Sequence, residues 1–309
     1  MALLFFSKHD DPTRWSAALR RHLPELDIRI WPETGDVGDI DSALVWNHPP
    51  GELNRYPNLR LILSLGAGVN HVLDDPDLPP GIPIARIVDP GLTGGMVEYA
   101  VWAAMRYHRN LDVYERFQRE GTWKKLPMPD TARRGIGVLG IGEIGSACAQ
   151  ALSAFGFSVA GWSRTPRTLE GIVSYAGNES LKPFLARSEI LICVLPLTTA
   201  TRGIINAELL EALPKGAFVI NIARGGHVVD ADLLAALDSG HIAGATLDVF
   251  QPEPLPPEHP YWRHPKVTLT PHIASLTNPD TAVLPIAENL RRLSAGQPLL
   301  HLVDRESGY

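Results

Sequence analysis

Gly135-Ile136-Gly137-Val138-Leu139-Gly140-Ile141-Gly142-Glu143-Ile144-Gly145-Ser146-Ala147-Cys148-Ala149 is the stretch on which the fold turns. Residues 136–139 form an apolar run of strand length, and residues 146–155 carry apolar side chains at helical spacing. Between them Gly140, Gly142 and Gly145 stand in G-x-G-x-x-G order. The pattern is weak alone and informative where it closes a strand and opens a helix. In that setting Gly140 permits a tight turn, Gly142 lets backbone amides approach a pyrophosphate, and Gly145 lets helix and strand pack closely. The anion then rests on the positive end of the helix. Ile144 and Glu143 occupy variable positions of the loop, and Glu143 is expected to point to solvent. The alternative is a glycine turn with no ligand.

Working outward, short aliphatic runs alternate with helical spacing along the chain. Around the glycine loop the strands are expected at 136–139, 158–162, 190–195, 218–222, 245–249 and 267–269. Helices are expected at 206–213 and 230–238, the second with Asp230 as its N-cap. Upstream, strands are expected at 2–6, 27–30, 43–46, 59–64 and 82–85, with a helix at 13–21 that stops before Pro24. Residues 96–119 hold Tyr99, Trp102, Met105, Leu111 and Phe117 with no Gly or Pro, and read as one long helix suited to domain linkage and subunit contact. Residues 279–295 are again helical. Such alternation implies an α/β protein whose parallel sheets are doubly wound, with helices on both faces.

The 309 residues suggest two domains at about 150 residues each. With 45% hydrophobic and 20% charged residues and a net charge of −6, the chain has ordinary globular composition. The acidic balance argues against a nucleic-acid partner, which calls for a basic face. Cys148 and Cys193 sit in apolar runs, so neither a disulfide framework nor a metal site is indicated. The first residues read as a strand, not a targeting peptide, and no run approaches the roughly 20 apolar residues that span a bilayer. A cytoplasmic location without a membrane partner is expected.

Ribose recognition falls about 20 residues beyond the glycine loop, where an NAD enzyme carries an acid. This chain has Trp162-Ser163-Arg164-Thr165-Pro166-Arg167 and no carboxylate before Glu170. Ser163, Arg164, Thr165 and Arg167 suit a 2′-phosphate through charge-assisted hydrogen bonds, so NADP(H) is expected over NAD(H), which stays possible. The competing reading is a pair of solvated surface arginines. Three polar residues follow successive strands: Arg224 in Asn221-Ile222-Ala223-Arg224-Gly225-Gly226, Glu253 in Asp248-Val249-Phe250-Gln251-Pro252-Glu253-Pro254, and His272 in Thr270-Pro271-His272. Ligands of such sheets bind beyond the carboxyl ends of the strands. Reduction of a 2-keto acid needs a guanidinium to hold the carboxylate and polarise the carbonyl, a proton donor for the alkoxide, and a carboxylate to orient that donor. Arg224, His272 and Glu253 fit those roles in turn. Singly, each also fits a structural role: a core histidine, a capping arginine, a solvated glutamate.

The chain resembles the D-isomer-specific 2-hydroxyacid dehydrogenase family, and most closely its glyoxylate/hydroxypyruvate reductase A branch. Beyond the motifs above, the resemblance rests on Ala43-Leu44-Val45-Trp46, Leu65-Gly66-Ala67-Gly68-Val69, Glu98-Tyr99-Ala100-Val101, Gly203-Ile204-Ile205-Asn206, Leu247-Asp248-Val249-Phe250 and Val303-Asp304-Arg305. It implies a flavodoxin-like substrate domain made of residues 1–95 and 276–309, and a Rossmann cofactor domain of residues 96–275. It also implies a homodimer with the helix near 96–119 in the interface. Arg224, Glu253 and His272 match the family's catalytic residues. Ala67, Gly68 and Val69 match its substrate-carboxylate loop, and Trp46 borders the pocket. Leu195, Pro196, Ala223, Asp248 and His272 match positions lining nicotinamide and ribose. Asn70 departs from the Asp common there, which leaves substrate preference less defined than the catalytic residues. The implied activity is NADPH-dependent reduction of glyoxylate to glycolate and hydroxypyruvate to D-glycerate. Rivals are a dinucleotide-sensing, corepressor-like binding protein and a dehydrogenase for another 2-hydroxy acid.

Overall fold

The computed structural model describes residues 2–305 and 308. The chain divides into two compact units, Met1–Leu92 with Leu276–Tyr309, and Thr93–Ser275. Among the described residues no helix is long and apolar enough to cross a membrane.

The first unit is built on five parallel strands, β1 (Ala2–Phe6), β2 (Asp27–Ile30), β3 (Ile40–Val45), β4 (Leu61–Ser64) and β5 (Ile84–Ala85), in the order β2-β1-β3-β4-β5. That is the flavodoxin-like order. Every residue of β1 and β4 is buried, as expected of central parallel strands covered on both faces. Leu3 and Phe5 point to one side, where helices Pro12–His22 and Pro279–Ala295 bring Trp15, Leu19, Ile286 and Leu290. Ala2, Leu4 and Phe6 point to the other, against Leu53, Val69 and Val72. Pro12 occupies the first turn of its helix, and the Asp11 carboxylate accepts from the Thr13 amide at 2.9 Å.

The second unit carries β6 (Gly135–Leu139), β7 (Ser158–Ser163), β8 (Val173–Ala176), β9 (Ile190–Cys193), β10 (Ala217–Asn221), β11 (Ile242–Leu247) and β12 (Val267–Leu269). All are parallel, in the order β12-β11-β10-β9-β6-β7-β8. This is the doubly wound Rossmann order with a seventh strand added, and it reverses between β6 and β9. Cys148 and Cys193 lie buried in this unit, their thiols pushed up to about 12 by burial.

Several sequence expectations are corrected. The strand β8 was not foreseen. It is an edge strand whose first two residues are exposed, so it lacks the apolar run that marks the central strands. The single helix expected over 96–119 is two, Pro90–His108 and Leu111–Arg119. The break falls at Asn110, which adopts the left-handed φ of 55° that asparagine tolerates better than most residues. The first of these helices also starts earlier than expected, running through Gly91, Gly94 and Gly95 from a proline suited to a first turn. Asp230 is not the N-cap of its helix. Val229 holds that position, and the Asp230 carboxylate instead accepts from the Tyr261 hydroxyl at 3.0 Å.

Candidate active site

The polar residues singled out in the second unit lie at or just beyond the carboxyl ends of strands of one sheet. The glycine loop follows β6 and residues 164–167 follow β7. Leu195 and Pro196 follow β9, Arg224 follows β10, Glu253 follows β11 and His272 follows β12. Because the strands are parallel and adjacent, these loops share one edge of the sheet, on either side of the reversal between β6 and β9.

Residues of the glycine loop meet distinct steric demands. Gly140 has φ of 104°, and its amide donates to the Trp162 carbonyl at 2.9 Å. A Cβ on Gly145 would lie 1.8 Å from the Gly140 carbonyl oxygen, so the helix Glu143–Ala154 can begin against the strand only with glycine there. At Gly142 a Cβ would meet nothing within 4 Å. The loop therefore leaves backbone room in front of a helix N-terminus, the arrangement that a pyrophosphate requires. Glu143 is exposed. After β7, Arg164, Thr165 and Arg167 are exposed as well, while the buried Ser163 hydroxyl donates to the Thr165 carbonyl at 2.7 Å and shapes the turn. These residues fit a dinucleotide bearing a 2′-phosphate.

Arg224, Glu253 and His272 come together through backbone contacts. A Cβ on Gly225 would lie 1.9 Å from the Phe250 carbonyl carbon, so the loops after β10 and β11 touch main chain to main chain. The Phe250 amide donates to Glu253 Oε1 at 2.8 Å, and His272 Nδ1 lies 2.8 Å from Glu253 Oε2. Burial raises the Glu253 pKa, but the His272 and Phe250 hydrogen bonds and the charges of His272 and Arg224 outweigh it, so the net shift is downward. Glu253 is thus an anion that accepts the hydrogen bond of a proton-bearing Nδ1 and fixes the His272 ring from that side. Both side chains are about one-third exposed, enough to be reached. Arg224 Nη1 donates to the Ala223 carbonyl at 2.6 Å. Burial lowers the Arg224 pKa against the opposing charge of Glu253.

His272 itself has a left-handed φ of 55°, an uncommon conformation for a non-glycine residue that needs surrounding support. Asp248 supplies it. Its buried carboxylate accepts from the Ile273 and Ala274 amides at 2.8 Å each and from the Thr270 hydroxyl at 2.5 Å. The backbone carbonyl of Asp248 accepts from the His272 amide at 2.8 Å. Asp248, expected to line the nicotinamide, thus has both carboxylate oxygens committed to the turn that carries His272. Since Thr270 spends its proton on Asp248, the Tyr99 hydroxyl donates to Thr270 Oγ1 at 2.5 Å. Burial pushes the Tyr99 phenol up to about 12, which keeps it a donor. Sequence reading missed this role of Tyr99, because 171 residues separate it from Thr270 and no local pattern links them.

The remaining expected residues belong to the first unit. Ala67, Gly68 and Val69 form the loop between β4 and the helical turn Asn70–Leu73. Ser64 anchors that loop, its hydroxyl donating to the Gly68 carbonyl at 3.1 Å and accepting from the Gly66 amide at 3.2 Å. Trp46 follows β3 and packs on His71 with ring centroids 4.4 Å apart.

The chain is similar to known proteins over its full length. Residues 101–274 match the model of the D-isomer specific 2-hydroxyacid dehydrogenase NAD-binding domain. A D-isomer specific 2-hydroxyacid dehydrogenase from Xanthobacter autotrophicus, solved in complex with NADPH and MES, is 46% identical with a TM-score of 0.96, the match covering 100% of this chain and 99% of that one. An NADPH-dependent glyoxylate/hydroxypyruvate reductase from Sinorhizobium meliloti, solved with NADP and sulfate, is 37% identical with a TM-score of 0.93 over 100% of this chain and 99% of that one. A probable 2-hydroxyacid dehydrogenase from Rhizobium etli, solved with NADP, HEPES and L(+)-tartaric acid, is 32% identical with a TM-score of 0.90 over the same shares.

Proposed function

The chain belongs to the D-isomer-specific 2-hydroxyacid dehydrogenase family, and from that membership we propose that it is an NADPH-dependent reductase of small 2-keto acids, glyoxylate and hydroxypyruvate foremost. The observation that carries the chemistry is the ordered pair of His272 and Glu253 beside a half-buried Arg224. Arg224 holds the substrate carboxylate and polarises the neighbouring carbonyl. His272 delivers the proton from Nε2 to the oxygen that becomes the alcohol, while Glu253 fixes the imidazole by its Nδ1. NADPH, when bound, supplies the hydride. The second unit is the cofactor domain. Within it the glycine loop holds the pyrophosphate, Arg164, Thr165 and Arg167 receive the 2′-phosphate, and Leu195, Pro196 and Ala223 border the nicotinamide side. The first unit is the substrate domain, contributing the Ala67, Gly68 and Val69 amides and the Trp46 ring.

The preference for glyoxylate and hydroxypyruvate is supported by the likeness to the Sinorhizobium meliloti reductase. We further propose a homodimer. Trp102, Leu111, Trp123 and Met128, on or just after the helices Pro90–His108 and Leu111–Arg119, are exposed apolar side chains, and Trp123 is 97% exposed.

Loss of absorbance at 340 nm with purified protein, NADPH and either keto acid tests the activity. Turnover is expected to fall by about 100-fold or more in His272→Ala, and a rise in KM for the keto acid is expected in Arg224→Ala. Near-normal rates in both variants overturn the assignment. Tight NADPH binding without turnover of any 2-keto acid would favour a dinucleotide sensor.

A further inference from the structure

We infer that His227 is a positioning residue: its neutral imidazole ties the segment that carries Arg224 to the turn at Pro196, holding the substrate side and the nicotinamide side of the site in one bracket. The inference rests on the proposed role of Arg224.

His227 is fully buried and ends the short turn Gly225–His227, three residues beyond Arg224. Its ring bridges two loops that leave adjacent strands, β9 and β10. Nε2 lies 3.3 Å from the Pro196 carbonyl oxygen. Nδ1 lies 3.3 Å from the Arg224 amide nitrogen and 3.0 Å from the Arg224 carbonyl oxygen. Burial disfavours the imidazolium, and the charges of Arg224 and Arg202 add to that effect, against the two carbonyls that favour it. The ring is therefore neutral and carries one proton.

One tautomer satisfies more of its surroundings than the other. With the proton on Nε2, the ring donates to Pro196 and Nδ1 accepts the Arg224 N–H, at the cost of setting the bare Nδ1 3.0 Å from the Arg224 carbonyl oxygen. With the proton on Nδ1, the Nε2 lone pair would face the lone pairs of the Pro196 carbonyl, and the Arg224 amide would lose its acceptor. The Arg224 carbonyl does not need the ring. It already accepts from Asn221 Nδ2 at 2.9 Å and from the His227 amide at 3.2 Å. His227 is thus a donor to one loop and an acceptor from the other.

Main-chain bonds continue the same connection. The Gly203 amide donates to the Gly226 carbonyl and the Ile205 amide to the His227 carbonyl, both at 2.8 Å. Pro196 is further held by the Thr201 hydroxyl, which donates to its carbonyl at 2.7 Å. Those bonds would keep the loops together without the ring. The ring sets the orientation of the Arg224 peptide and of the Pro196 carbonyl within that frame, which is a positioning role and not only a packing one.

Asparagine places an acceptor near the Nδ1 position, and glutamine places a donor near the Nε2 position, so the two connections can be restored separately. The experiment compares His227→Ala, His227→Asn and His227→Gln in the full chain. It reads KM for glyoxylate by steady-state kinetics and Kd for NADPH by its fluorescence, with Arg224→Ala as reference. In His227→Ala both constants are expected to rise about tenfold, the scale of a lost buried hydrogen bond. His227→Asn should restore KM for glyoxylate and leave Kd for NADPH weakened, and His227→Gln should do the reverse. Constants within twofold of the parent protein in His227→Ala, or equal defects in the Asn and Gln variants, overturn the inference. Should Arg224→Ala keep the parent KM for glyoxylate, the reading of Arg224 fails instead, whatever His227 does. Independently of whether any variant folds, 15N NMR of the parent protein should show a protonated Nε2 and a bare Nδ1 for His227. A protonated Nδ1 overturns the bracket.

Discussion

Gly225 and Phe250 lie against one another so closely that a Cβ on the glycine would sit 1.9 Å from the Phe250 carbonyl carbon and 2.2 Å from its oxygen. This backbone contact places the residue after Arg224 against the residue whose amide holds Glu253. The geometry of the three candidate catalytic side chains depends on it, because Glu253 in turn fixes His272.

Gly225→Ala therefore forces the two loops apart. We expect a loss of about 1–3 kcal/mol in stability, the usual cost of overpacking a tight contact. A fall in kcat larger than the stability loss explains should accompany it. Urea unfolding and steady-state rates on the same preparation check both.

Glu253 has a folded-state pKa below its ordinary 4.5: the effect of burial is outweighed by the hydrogen bonds from His272 and Phe250. A depressed carboxylate pKa contributes stability that is present above the unfolded-state value and lost as pH falls through the folded-state value. The stability gap between the parent protein and Glu253→Gln should therefore be constant near neutrality and narrow below about pH 4.5. Thermal melts of both proteins between roughly pH 3 and 7 check the sign. A gap that widens on acidification contradicts it.

Arg164 and Arg167 follow β7 at the place where the ribose is expected, and both are exposed. Replacing the two with alanine should raise KM for NADPH by about 10–100-fold, the scale of one or two charge-assisted hydrogen bonds, and leave KM for NADH nearly unchanged. Parallel titrations with the two cofactors check this. Equal effects on both would remove the 2′-phosphate role.

Trp123 exposes 97% of its surface in the single chain, an unusual amount for the largest apolar side chain. Trp123→Ala should weaken self-association by about 2 kcal/mol or more, as an interface anchor does. Sedimentation over a concentration series checks it. An unchanged assembly state excludes Trp123 from the interface.

Much of the candidate site was legible because parallel sheets impose it. A strand of β-branched and aliphatic residues followed by a turn fixes which end of the strand a loop leaves, so Arg224, Glu253 and His272 could be assigned to one sheet edge without coordinates. The edge strand β8 and the break at Asn110 were not legible. A half-exposed strand has no apolar run, and asparagine signals a left-handed residue far less strongly than glycine does.

The sequence by itself determined the alternation of strand and helix, the glycine loop, the absence of an acid at the ribose position and the identity of the three polar residues. Those features are encoded in local spacing and residue chemistry. The tertiary structure alone decided the rest: that Asp248 supports the His272 turn, that Tyr99 completes its hydrogen bonds through Thr270, and that His227 spans from Arg224 to Pro196. Each of these is a contact across adjacent strands or across many residues of chain. A buried hydrogen bond is specified by direction and distance in space, which the order of residues along the chain does not contain.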